Sequence, residues 1–145
     1  MSYAIDANIL LYASDDGSPL YKPARRFLEE SEMRQETLCL GWPTLMAYLR
    51  IATHPRIFGQ PLSPNSAMRN VESLLNFPHV RVLSEEEDFW ACYRQVTEGL
   101  HVRGNLVPDA HLVALLREHD VRVLYTNDMD FKKFHVIETV NPFTS

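Results

Sequence analysis

At 145 residues, 46% of them hydrophobic and 23% charged, the chain has the length of one domain around a single buried core, with no room for a second. No tract joins low hydrophobicity to a long charge run, which excludes general disorder, and no apolar stretch approaches the roughly 20 residues that cross a bilayer. Fourteen Lys and Arg against 19 Asp and Glu give a formal charge of −5, the wrong sign for coating nucleic acid by phosphate neutralisation alone.

Two bound divalent cations would bring that charge to −1, so the exclusion weakens if carboxylates are metal ligands. Eleven of the 14 cations are Arg, which suits bidentate phosphate contact and equally fits a genome rich in Arg codons. The amino terminus carries no basic segment followed by an apolar one, so no membrane association is expected. Cys39 and Cys92 match no Cys-x-x-Cys spacing and are too few for a disulfide framework. They favour a reducing cytoplasm and two core thiols, with one bridge between them as the alternative.

Tyr3, Ala4 and Ile5 predict a short buried strand that ends on Asp6, and Ala7 to Tyr12 a helical turn. Asp15 to Pro19 reads as a loop and Pro23 to Arg34 as an amphipathic helix with Ala24, Phe27 and Leu28 on one face. Thr37 to Gly41 predicts a second buried strand, and Pro43 at a first helical position opens a helix to about Thr53. Three prolines and Gly59 make Pro55 to Pro64 a loop, after which Ser63 caps a helix to about Asn76.

Val80 to Leu83 predicts a third strand, and Ser84 with Glu87 forms a capping box that opens a helix through about Leu100. Gly104 and Asn105 break it, Pro108 reopens a helix from about Asp109 to His119, and Val121 to Tyr125 is a strand ending at Thr126. A last strand is expected at His135 to Glu138. Strands alternating with helices predict one α/β domain over residues 1–145, with a parallel sheet covered on both faces and ligands outside the strand carboxyl ends.

Asp6 follows the first strand, Asp109 begins a helix, and Asp128 with Asp130 follows the Val121 to Tyr125 strand, so one edge gathers all four. Each has an ordinary reading alone: a first-turn acid for Asp109, turn formers for Asp128 and Asp130. Asp6 is harder to explain that way, because a buried acid needs a partner. Converging carboxylates repel unless a hard cation such as Mg²⁺ or Mn²⁺ neutralises them, which suggests metal-assisted phosphodiester hydrolysis.

Ile5-Asp6-Ala7-Asn8-Ile9-Leu10, Pro108-Asp109-Ala110-His111-Leu112-Val113 and Thr126-Asn127-Asp128-Met129-Asp130-Phe131 stand in the order and spacing found in PIN-domain ribonucleases. The chain resembles most closely the VapC-type toxins of toxin–antitoxin pairs. The resemblance implies a three-layer α/β/α sandwich around a parallel sheet and Mg²⁺- or Mn²⁺-dependent endonucleolytic RNA cleavage that leaves 5′-phosphate and 3′-hydroxyl ends. It also implies a VapB-type antitoxin and a homodimer. By that likeness Asp6, Asp109 and Asp128 are catalytic metal ligands, Asp130 is a further ligand, and Asn8 and Thr126 orient the carboxylates.

One departure stands out. Many members carry Glu on the helix after the second strand, where this chain has Ala47. That puts a second metal in doubt and supports the alternative of a PIN fold that binds RNA or protein without cutting, whereas Asp6, Asp109, Asp128 and Thr126 argue against it. A phospho-acceptor receiver domain shares the layout, but Lys132 and Lys133 follow Asp128 too closely for its Lys. Arg50 and Arg56 are candidates for RNA phosphate, and Arg50 equally for a cluster acid. His111 and His119 lack a third zinc ligand pattern and read as structural. Trp42, Tyr48, Phe58, Phe89 and Trp90 are expected in a core or an interface.

Overall fold

A computed structural model describes residues 1–144. Five strands form one sheet in the order β3-β2-β1-β4-β5, every neighbouring pair parallel. They are β1 (Ser2–Ile5), β2 (Thr37–Gly41), β3 (Val80–Leu83), β4 (Val123–Tyr125) and β5 (Glu138–Val140). Between them run α1 (Ala7–Ala13), α2 (Tyr21–Ser31), α3 (Trp42–Ala52), α4 (Pro64–Leu75), α5 (Phe89–Thr97) and α6 (Leu106–Glu118). No helix among the described residues is long and apolar enough to cross a membrane.

Strand alternation explains the three layers. Tyr3 and Ile5 of β1 and Leu38 and Leu40 of β2 join Ile9, Leu10, Leu45, Tyr48, Ala67 and Val71 in one core, so α1 to α4 cover that face. Ala4, Cys39 and Leu83 point the other way, into a second core with Val96 of α5 and Ala110 to Leu116 of α6. The run Leu112 to Leu116 in α6 is wholly buried, and each large aliphatic side chain there contributes about 1.5–3 kcal/mol by leaving water. Gly41 makes this packing possible: a Cβ there would lie 2.6 Å from Leu115 Cδ2. Both cysteines are free.

Several boundaries differ from expectation. The Ser84–Glu87 capping box does not form, and α5 begins at Phe89. The Glu118 carboxylate instead accepts from the backbone N–H groups of Glu86 and Asp88, both at 2.9 Å. His119 Nε2 donates to the Ser84 carbonyl at 2.8 Å, and His111 Nε2 meets Glu85 Oε1 at 2.8 Å. The carboxyl-terminal end of α6 thus ties down Ser84 to Asp88 through the Glu86 and Asp88 N–H groups and the Ser84 carbonyl, in place of a first helical turn. Helices α2 and α6 each begin two residues before their proline, which the first turn tolerates because its N–H groups lack helical partners. The last strand lies at Glu138–Val140, since Met129–Lys133 is a 3₁₀ turn and Glu138 N bonds to the Arg122 carbonyl to set the register.

Candidate active site

From β1 the chain passes to β2 and β3 on one side and to β4 and β5 on the other, so the carboxyl ends of β1 and β4 flank the point where strand order reverses. Asp6 follows β1 there and caps α1, its Oδ1 accepting from Ala7 N at 2.7 Å. Its Oδ2 accepts from the hydroxyl of Thr126, at the end of β4, at 2.9 Å. Thr126 is buried and its Oγ1 also accepts from Asp128 N at 3.0 Å, while Asp128 Oδ1 accepts from Asp130 N at 2.9 Å. One chain of hydrogen bonds thus fixes Asp6, Asp128 and Asp130 relative to one another.

Asp109 reaches the same place from the first turn of α6. Carboxylate oxygens of Asp109, Asp128 and Asp130 lie within 4.8 Å of one another, an arrangement that could hold a metal ion. Asp6 stands outside that trio but acts on it through charge. Burial, followed by the charges of Asp128, Asp6 and Asp130, pushes the pKa of Asp109 up to about 7, and Lys133 opposes the rise. Burial also raises the pKa of Asp6, against hydrogen bonds from Thr126 and Ala7. Among the described residues the one ion pair these four acids make is with the exposed Lys133, 3.7 Å from Asp130. An all-carboxylate donor set frustrated in this way suits a hard divalent cation.

The other expected residues are placed as follows. Asn8 turns its amide to Asn127, Nδ2 donating to Oδ1 at 2.7 Å, and reaches no acid; Asn127 Nδ2 donates to Tyr12 Oη at 3.1 Å. Asn127 therefore links α1 to the Thr126–Asp128 turn, a role that nothing in its local sequence signals. Arg50 and Arg56 are exposed and, among the described residues, pair with no acid. Ala47 is half-buried on α3. Tyr48 and Phe58 are core residues, whereas Trp42 and Trp90 are 41% and 65% exposed, Trp90 stacking on Tyr93 at 5.5 Å.

The PIN domain family matches residues 3–136. Ribonuclease VapC48 of Mycobacterium tuberculosis is 40% identical over 144 residues, covering 99% of both chains. Ribonuclease VapC43 of the same organism is 30% identical over 138 residues, 95% of this chain and 93% of its own. Among solved structures, VapBC2 from Rickettsia felis bound to a DNA fragment from their promoter aligns with TM-score 0.70 at 16% identity, over 97% of this chain and 98% of that one. VapC20 of Mycobacterium tuberculosis, a Sarcin-Ricin loop cleaving toxin, aligns with TM-score 0.66 at 16% identity, over 94% and 98%. At those identities the structural likeness is one of fold.

Proposed function

The chain belongs to the PIN-domain family, and on that footing we propose that it is a divalent-metal-dependent endoribonuclease acting as the toxin of a VapBC-type pair. The observation that carries this reading is the convergence of Asp109, Asp128 and Asp130 within 4.8 Å at the strand-order reversal, next to Asp6. Residues 1–145 act as one nuclease domain, in the reducing cytoplasm that two free cysteines suit.

Asp109, Asp128 and Asp130 would hold Mg²⁺ or Mn²⁺, with Asp6 adding charge from the side. A bound cation of this kind lowers the pKa of water and offsets charge on a phosphate under in-line attack. Thr126 holds the Asp6 carboxylate and the Asp128 backbone in place, and Asp130 N holds the Asp128 carboxylate, so both acids are oriented before substrate arrives. No side chain here needs to become a covalent nucleophile. Arg50 and Arg56, exposed and without acid partners among the described residues, are available to RNA phosphate.

A VapB-type antitoxin, which the toxin–antitoxin complexes among the structural neighbours support, would cover the acidic crevice, and a second copy of the toxin is proposed as the other partner. Incubating purified protein with RNA in Mg²⁺ or Mn²⁺ and in excess EDTA tests the reading. Metal-dependent cuts with 5′-phosphate ends, abolished in Asp6→Asn, are expected. Full cleavage in EDTA would overturn the mechanism. Ala47 favours one second reading, a fold that binds RNA without cutting; it predicts RNA binding and intact product in the same assay.

A further inference from the structure

We propose that a cavity beside the acidic cluster receives the nucleotide next to the scissile phosphate, with Asn141 donating to its base and Lys132 holding its phosphate; this rests on the nuclease reading above. The cavity measures about 310 Å³, and Thr126, Asn127, Asp128, Lys132, Thr139 and Asn141 are among its walls. That is the lower end of ligand-sized pockets, roughly 300–1,000 Å³. Thr126 and Asp128 belong to both cavity and cluster, so an RNA strand with one phosphate at the acids has its neighbouring residue at this opening.

The chemistry of the walls selects the occupant. Asn127 is spent, since its Oδ1 and Nδ2 both bond within the protein. Asn141 Oδ1 accepts from Phe143 N at 2.9 Å, but its NH₂ group donates to nothing among the described residues. Among the described residues, Thr139, at the centre of β5, directs its hydroxyl to no partner, and Lys132 pairs with no acid although Lys133 pairs with Asp130. The uncommitted groups are thus donors and a cation, complementary to a nucleotide, whose phosphate and base edges are rich in acceptors. Single-stranded RNA, with its base edges unpaired, presents those acceptors; a duplex hides them.

Two measurements test this. The four nucleoside 5′-monophosphates are titrated into isotope-labelled wild type in EDTA, so that no cation bridges phosphate to the acids. Saturable amide shifts at Lys132, Thr139 and Asn141, weakened in Asn141→Asp, are expected. Asn141→Asp keeps an oxygen for Phe143 N, replaces the NH₂ donor with an acceptor and adds a negative charge; the base preference measured in cleavage separates lost donation from repulsion of phosphate, which acts on all four nucleotides alike. The absence of shifts, or shifts unchanged in Asn141→Asp and Lys132→Ala, overturns the proposal. In parallel, RNA with randomised positions around the cut is cleaved in Mg²⁺. Wild type is expected to prefer one base beside the cut by roughly tenfold, and Asn141→Asp to flatten that preference. An identical preference in wild type and variant overturns it. If wild type cuts no RNA at all, the nuclease reading fails while the monophosphate titration still decides the cavity.

Discussion

The hydroxyl of Thr126 donates to Asp6 Oδ2 at 2.9 Å and accepts from Asp128 N at 3.0 Å, joining the ends of β1 and β4 through one buried group. These residues are 120 positions apart in sequence, yet the parallel pairing of β1 with β4, Ile5 opposite Tyr125, brings them side by side. Backbone register thereby sets the carboxylate geometry.

Thr126→Val keeps the shape of the side chain and removes both hydrogen bonds. We expect metal affinity or turnover to fall by about 10–100-fold, the usual cost of losing a group that orients a ligand. Stability should fall by about 1–3 kcal/mol, because the Asp128 N–H loses its acceptor and Asp6 a donor. Thr126→Ser should restore most of both, measured by metal titration and urea unfolding. A valine variant with full metal affinity would show that Thr126 only fills space.

The raised pKa of Asp109 gives the metal-free protein a defined pH dependence. Its folded value is about 7 and its unfolded value is ordinary for Asp, so between those values the folded state holds the proton more tightly. Stability without metal should therefore fall as pH rises from about 4 to about 7, and level off above. For a half-exposed group the loss is on the order of 1 kcal/mol after solvent screening. Asp109→Asn should be more stable than wild type at pH 8 in EDTA, and Mg²⁺ should stabilise wild type more than the variant. Thermal melts in the four conditions check it; equal melting temperatures in EDTA would remove the charge frustration on which the metal reading leans.

The acids were legible in the sequence because each lies just past a strand or in the first turn of a helix, so the local apolar pattern placed it at one sheet edge. The apolar runs Tyr3-Ala4-Ile5 and Leu38-Cys39-Leu40 likewise marked strands buried on both faces, as the two cores show. What stayed hidden depends on partners far along the chain. The Ser84–Glu87 signature is locally sound, but Glu118, 30 and 32 positions on, binds the neighbouring Asp88 and Glu86 N–H groups and fixes the segment against α6. Asn8 was expected on a carboxylate and lies on Asn127, 119 positions away. Spacing says nothing about which of several polar groups at an edge will meet.

Gly41 is a site where a single methyl group should disturb the core. A Cβ there falls 2.6 Å from Leu115 Cδ2, and Leu115 is wholly buried, so it has no room to turn aside. Gly41→Ala should cost about 1–3 kcal/mol, the range for overpacking. Because α6 carries Asp109, displacing it should also weaken metal binding. A paired variant, Gly41→Ala with Leu115→Ala, should recover part of the binding loss by clearing the contact. Urea midpoints and metal titration separate the two effects; an unchanged midpoint in the single variant would mean that α6 shifts freely.

Ala47 bears on whether the proposed site takes a second cation. It lies one turn after Thr44 on α3, and Thr44 Oγ1 is buried without a hydrogen-bond partner. An orphan hydroxyl is costly, and a carboxylate three residues on would be within reach of it. Ala47→Glu should therefore find a donor in Thr44 and add negative charge on the helix where related nucleases carry Glu. We expect wild type to bind one divalent ion tightly and a second weakly, and Ala47→Glu to tighten the weaker site by at least several-fold with little loss of melting temperature. If α3 instead packs position 47 away from the crevice, the new carboxylate would be buried without a ligand role and would only destabilise the fold. Calorimetric metal titration beside thermal melts separates these: unchanged affinity with a lower melting temperature in Ala47→Glu, and in Ala47→Glu with Thr44→Val alike, refutes the ligand account.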